Sequence, residues 1–236
     1  MARTTIWSSI VTALTAEIAG GTYRPGAKLP TEAQLSQRFG VNRHTVRHAL
    51  AVLAERGLVQ ARRGAGVFVT SVPTDYPLGR RVRFHQNVLA SGRTPSRRIL
   101  RTETRPASPP EAEALTLPAA SPVHLIEGLS LADGLPLGLF RSVIPADRFP
   151  EFPEAMARLG SITAALAAAG VADYTRAMTR LTAKLADAVQ AGHLQVPQGA
   201  PLLRSVTLNV DGTGKPVEFG TSWFVGDRVT LTVVPE

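Results

Sequence analysis

The sequence predicts an α+β protein of two domains, a basic helical one followed by a sheet-rich one, and three observations carry that prediction. Three segments with apolar residues at helical spacing, each stopped by glycine, fill the stretch up to Gly57. Beyond Arg97 the pattern changes to β-like stretches, two pairs of them joined by Asp-Gly turns. The charge changes with it: residues 1–70 carry nine Lys or Arg against three acids and residues 71–106 eight against two, whereas the remainder is net negative. At 236 residues, 44% hydrophobic and 19% charged, the chain can bury two ordinary cores, which excludes a disordered chain or a collagen-like fibre. It has no cysteine, so disulfide scaffolds, thiolate zinc sites and cysteine nucleophiles are excluded. No apolar run approaches the ~20 residues of a membrane span and residues 1–20 lack a signal-peptide core, so a cytoplasmic protein with no membrane partner is expected.

The first helix is read from Ile6, Ile10, Leu14 and Ile18, with Val11 and Ala13 beside them, and stops at Gly20 and Gly21. Thr31, with Gln34 three residues on, forms a capping-box pattern that opens a short second helix; Ala33, Leu35 and Phe39 supply its apolar contacts and Gly40 ends it. Asn42 caps a third helix striped by Val46, Ala49, Leu50 and Leu53. Two helices joined by the three-residue turn 40–42 are a helix-turn-helix pattern. On the other face of the third helix Arg43 and Arg47 lie four apart, near the end where recognition helices touch base edges. An arginine fork there reaches guanine O6 and N7, with Thr45 or Asn42 on a phosphate. A solvated basic face would carry the same two arginines, but residues 58–69 weigh against it: two strand-like pieces flank Arg62-Arg63-Gly64-Ala65-Gly66, a hairpin with a basic, glycine-rich tip.

These features together resemble the winged helix-turn-helix of GntR-family bacterial transcription regulators, over nearly all of residues 4–70 and most closely in residues 29–50 and 64–69. The resemblance implies DNA contacts from Thr31, Arg43, Thr45, Arg47 and Gly66, and hence double-stranded operator DNA as a partner. Some family members add an arginine two residues after the helix-two cap, where this chain has Ala33.

Residues 71–79 read as a linker by their Pro, Ser and Asp content, giving domains at 1–70 and 80–236. In the second domain residues 97–104, 123–131, 136–144, 201–210, 216–225 and 229–234 are β-like, and helices are expected at 83–91, 110–115, 161–169 and 183–191. Strands in antiparallel hairpins with helices set apart from them make an α+β domain. Its order of parts is Arg83-Phe84-His85-Gln86-Asn87, Gly92-Arg93-Thr94-Pro95, the hairpin at Asp133-Gly134, Ser161-Ile162-Thr163, Val217-Glu218-Phe219 and Gly226-Asp227-Arg228. That order resembles the UTRA effector-binding domain of the HutC subfamily, whose antiparallel-sheet fold is chorismate-lyase-like; the first two motifs look most like PhnF-type regulators of phosphonate uptake and breakdown.

The resemblance implies a homodimeric repressor on an inverted repeat, released by a small anionic effector such as a phosphonate or phosphate ester, with no cofactor or metal. It assigns the effector to Arg83, Phe84, His85 and Asn87, to Arg141 and Ser142, to Ser161 and Thr163, and to Arg176, Glu218 and Phe224. Ser161 at a helix start suits an anion and equally suits an ordinary N-cap. Glu218 accepts from a ligand amine or hydroxyl, or else pairs with a neighbouring arginine; His85 is as readily structural as ligand-contacting. Sugar-phosphate-sensing relatives often carry arginines on the strand entering the Asp-Gly hairpin, where this chain has Gly128 and Ser130. A carboxylate such as urocanate, or a sugar phosphate, is the alternative effector class. Catalysis finds no support: no His-Glu-x-x-His, no phosphate-binding lysine loop and no nucleophile elbow occur, and fold likeness is weak ground for chemistry.

Overall fold

A computed structural model describes residues 6–62, 64–70, 73–81 and 83–233. The chain divides into two compact units, Met1–Val72 and Pro73–Glu236.

In the first unit α1 (Ile6–Ala19), α2 (Glu32–Phe39) and α3 (Arg43–Glu55) precede a hairpin of β1 (Val59–Arg62) and β2 (Gly66–Val69). The caps form as their residues dictate. Thr31 N donates to Gln34 Oε1 at 2.8 Å and Gln34 N returns a bond to Thr31 Oγ1; Gly40, at φ 64°, takes the left-handed turn that ends α2; Thr45 N donates to Asn42 Oδ1 at 2.8 Å. Ile10, Val11 and Leu14 of α1 meet Leu35, Val46, Ala49, Leu50, Leu53, Val59 and Val69 in one core. Ile6, read as the start of the α1 stripe, is instead 65% exposed; Trp7 packs against the core and full burial begins at Ile10. Residues 26–29 join the hairpin as a third strand-like segment, with Leu29 N donating to Val67 O and Val69 N to Ala27 O.

The second unit is built on a six-stranded antiparallel sheet in the order β4-β5-β6-β9-β8-β7, comprising β4 (Pro95–Pro106), β5 (Pro122–Ala132), β6 (Leu135–Pro145), β7 (Tyr174–Leu185), β8 (Pro201–Asp211) and β9 (Pro216–Val225). One face packs α6 (Phe152–Leu159) and α7 (Ile162–Ala168) against Ile126, Phe140 and Ile144, and α4 (Phe84–Ala90) against Leu137 and Phe224. Wholly buried Phe152 contributes roughly 2–3 kcal/mol there. The other face carries α5 (Pro109–Leu115) and α8 (Ala188–Leu194) over Val143, Leu139 and Trp223.

Two expectations are corrected, and two elements were not anticipated. The linker expected at 71–79 contains a strand, β3 (Thr74–Pro77), which pairs in parallel with β10 (Val229–Thr232); Thr74 and Tyr76 are buried. Its polar composition suggested exposure, while its partner strand is too distant in sequence to leave a local signal. Positions 71 and 72 lie outside the described residues. The helix expected at 183–191 begins only at Ala188, after the Asp187 cap, because 183–185 complete β7. β7 was not anticipated: as an edge strand paired only to β8 and mostly exposed, it shows no clean alternation, and Ala, Met, Leu, Arg and Lys favour helix locally. Helix α6 was likewise not expected.

Helix α5 shows how charge supports this unit. Arg105 donates one hydrogen bond to each Glu111 oxygen at 2.8 Å, and Ser108 N donates a third. These bonds, the Arg105 pair foremost, hold the Glu111 carboxyl at about 2 against an ordinary 4.5. Since the folded value is depressed, the stabilisation is complete above pH 4.5 and is lost as pH falls toward 2. Glu111→Gln is expected to cost roughly 2 kcal/mol in urea unfolding at neutral pH and to flatten the acid loss of stability. An unchanged pH profile would exclude Glu111 as the titrating group.

Candidate functional site

The first unit presents its helix-turn-helix with both arginines of α3 exposed but in different states. Arg47 is held by Glu32 of α2, Nε to Oε1 at 3.1 Å and Nη2 to Oε2 at 2.8 Å, whereas Arg43 has no ion pair among the described residues. The Arg47 hydrogen bonds keep the Glu32 carboxyl below its ordinary range, helped by Arg43 and His44. Glu32 thus fixes the Arg47 fork across the two helices, a role the sequence reading missed. Thr31 and Thr45 are tied into the caps of α2 and α3, so their hydroxyls sit at the two helix starts. The Asn42 carboxamide oxygen is taken up by Thr45.

At the hairpin tip Gly66 has φ 114°, a backbone conformation that side chains disfavour. A Cβ at Gly66 would lie 2.7 Å from Lys28 Cε, so Lys28 lies across the tip and adds a cation that the sequence reading did not assign. Arg62 is placed only through its backbone pairing with Gly66, and Arg63 lies outside the described residues.

In the second unit a cavity of about 70 Å³ opens between the α4/α7 face of the sheet and β3. Its walls are polar although it lies over a core, and that contrast marks it. From the assigned residues it gathers Phe84, Ser142, Thr163, Arg176, Glu218 and Phe224. Glu218, 7% exposed, lies in its wall, where Ser142 Oγ donates to Oε1 at 2.5 Å and Asn209 Nδ2 to Oε2 at 2.7 Å. Arg176 Nε donates to Asn209 Oδ1 at 3.3 Å, which places the amide between the cation and the carboxylate. Of the two readings of Glu218, pairing with an arginine is not what the structure shows: no cation among the described residues lies within ion-pair distance of it.

The cavity also holds residues that the sequence reading left out. Arg97 enters from β4, its guanidinium 4.5 Å from the Phe140 ring centroid and 5.5 Å from that of Phe84. Its Nη1 is buried without a hydrogen-bond partner. Burial draws its pKa down, yet arginine stays protonated at neutral pH. Tyr76, pushed up to about 12 by burial, and Tyr174, also raised by burial, supply phenols; the Tyr174 hydroxyl is 2.8 Å from Thr163 Oγ1. Ser205, Thr207 and Asn209 line β8 at every second position. That alternation of small polar residues in an otherwise apolar strand was the available signal.

Four assigned residues stand elsewhere, and a fifth, Arg141, is turned away at the cavity border. Arg83 is not in the cavity lining: it donates to Tyr174 O at 2.7 Å and Asp173 Oδ1 at 3.0 Å and stacks 3.6 Å from the Tyr174 ring centroid, so it backs the wall from behind. His85 is exposed on α4 and Asn87 donates to Pro77 O, fastening α4 to β3. Ser161 caps α7 by accepting from Ala164 N, the plainer of its two readings. Arg141 borders the cavity, but its side chain pairs with Glu127 at 2.7 Å. Side chains alternate along β6, so Arg141 and Ser142 cannot both face inward.

Comparison with known proteins agrees with both halves. Residues 7–69 match the bacterial regulatory proteins of the gntR family, and residues 90–230 match the UTRA domain. An uncharacterised HTH-type transcriptional regulator of Rhizobium meliloti (strain 1021) is 38% identical over 97% of this chain and 94% of its own length. The probable transcriptional regulator PhnF of Escherichia coli (strain K12) is 36% identical over 89% of this chain and 88% of its own. The crystal structure of PhnF from Mycobacterium smegmatis superposes with a TM-score of 0.68 at 26% identity, covering 98% of this chain and 99% of that one. These relatives are regulators of transcription and not enzymes, and no helix among the described residues is long and apolar enough to cross a membrane. With a helix-turn-helix for operator DNA and a UTRA domain for a small-molecule effector, this chain belongs to the GntR family of bacterial transcription regulators, as a PhnF-like member of the HutC type.

Proposed function

We propose that this regulator is a repressor of phosphonate uptake or breakdown, bound to an inverted-repeat operator as a homodimer and released when a phosphonate or phosphate ester fills the sheet-face cavity. The observation that carries this reading is Arg97, a cation in the cavity wall with a buried nitrogen that no group among the described residues satisfies. A buried donor left unpaired costs about 1–3 kcal/mol, and an oxyanion arriving from solvent removes that cost. Arg176, Thr163 and Tyr76 add donors around the same space, and several donors meet the oxygens of a tetrahedral group better than those of a planar carboxylate. The space is under half the ~150 Å³ of a benzene-sized cavity, which favours a compact ligand over a hexose phosphate. The likeness to PhnF proteins supports the phosphonate class. A dimer is proposed because one recognition helix and one wing bury too little surface for selective binding.

Fluorescence anisotropy on a labelled operator tests this. A phosphonate should weaken DNA binding by roughly 5- to 150-fold, the usual span of such coupling. Release by urocanate or another carboxylate, with no phosphonate binding below millimolar concentration, would remove the phosphonate assignment.

A further inference from the structure

The cavity contains charges of both signs that do not neutralise each other. Glu218 is buried, and both of its oxygens accept hydrogen bonds from neutral donors, Ser142 and Asn209. Arg176 is turned to the same Asn209, whose amide separates it from the carboxylate, and Arg97 lies against Phe140 and Phe84 with Nη1 unpartnered. A protein that needed only to offset a buried carboxylate would bring an arginine onto it, as Arg105 does on Glu111. Here the fold holds an acceptor and two cations apart around one small space. A ligand bearing only negative charge satisfies the arginines but meets the Glu218 charge unrelieved. One bearing an ammonium as well satisfies both ends.

We infer that the effector is a zwitterion, its oxyanion group taken by Arg97 and Arg176 and its ammonium by Glu218. Each Glu218 oxygen keeps acceptor capacity beyond its one bond to Ser142 or Asn209, so an ammonium can be received without breaking either. Applied to the proposed phosphonate class, on which this step rests, the ligand is an aminoalkylphosphonate with a short carbon chain.

Calorimetry on the full-length protein with methylphosphonate, hydroxymethylphosphonate and aminomethylphosphonate tests the assignment. The amino compound should bind roughly 10- to 100-fold more tightly than the methyl compound, the range of a hydrogen bond between charged groups, with the hydroxy compound close to the methyl one. In Glu218→Gln that preference should shrink to within about threefold while methylphosphonate still binds. Equal or tighter binding of methylphosphonate, or of hydroxymethylphosphonate relative to the amino compound, overturns the inference and leaves the phosphonate reading standing. Survival of the preference in Glu218→Gln also overturns it. Should Glu218→Gln fail to fold, the three-ligand comparison on the unaltered protein decides alone. If no phosphonate binds and glycine binds while acetate does not, the phosphonate class fails and the zwitterion assignment holds; if none of the five binds, both fail.

Discussion

Replacing Arg97 with methionine is expected to leave the ligand-free protein as stable as before, or more so, while reducing effector binding by at least 30-fold. Methionine keeps contact with Phe140 and Phe84 and removes a buried guanidinium nitrogen that has no partner. Exchanging a buried charge for an apolar chain of similar length is commonly neutral or stabilising by about 1–4 kcal/mol. Against an oxyanion, losing one member of a buried charged pair costs roughly 2–5 kcal/mol, which sets the 30-fold floor. Thermal unfolding and calorimetry on the same sample check the two halves. A variant that melts much lower would make Arg97 a structural residue, and one that binds within threefold of the parent would remove it from the ligand site.

Gly128→Ala is expected to destabilise the second unit by roughly 3 kcal/mol, or about 6–12 °C in its melting temperature. A Cβ at Gly128 would stand 2.6 Å from Arg98 O and 2.9 Å from two atoms of the Phe140 ring. The first is backbone of the neighbouring strand and cannot swing aside. Phe140 is the direct partner of Gly128 in the β5–β6 register, and its ring lies against Arg97, so any relief disturbs the cavity as well. Of the two positions noted on this strand, Gly128 and Ser130, the first is therefore closed to a side chain. A variant that melts within 2 °C of the parent, measured by calorimetric scanning, would refute this packing account.

What the sequence made legible follows the distance over which each feature is determined. The first unit was readable because its devices are local: Thr31 with Gln34, Gly40, and Asn42 with Thr45 each act within a few residues, so α2, α3 and the exposed Arg43 and Arg47 followed from spacing. The cavity is determined by register. In the run Arg97-Arg98 composition cannot say which guanidinium turns inward; the pairing of Arg97 with Ser130 in the β4–β5 ladder decides it. Likewise Arg83 looked like a ligand contact until its partners, Asp173 and Tyr174, some 90 residues away, placed it behind the wall. Glu218 and Ser142 were assigned from the family resemblance, but their hydrogen bond spans 76 residues, and only the fold reveals that no cation among the described residues pairs with the carboxylate.

The parallel pair of Thr74–Pro77 with Val229–Thr232 has a consequence in time. Thr232 and Asp75, hydrogen-bonded to each other, are 157 residues apart. A ribosome adds roughly 5–20 residues per second and the leading domain folds first. The helix-turn-helix of each new molecule is thus complete for something like ten to thirty seconds before the strand that closes the cavity's β3 wall has been made. Throughout that interval the nascent protein has a finished DNA-reading head and an unfinished sensor. A chain cut short ahead of Val229, by a stop codon or a protease, would stay in that condition, its helix-turn-helix complete and β3 without its partner strand.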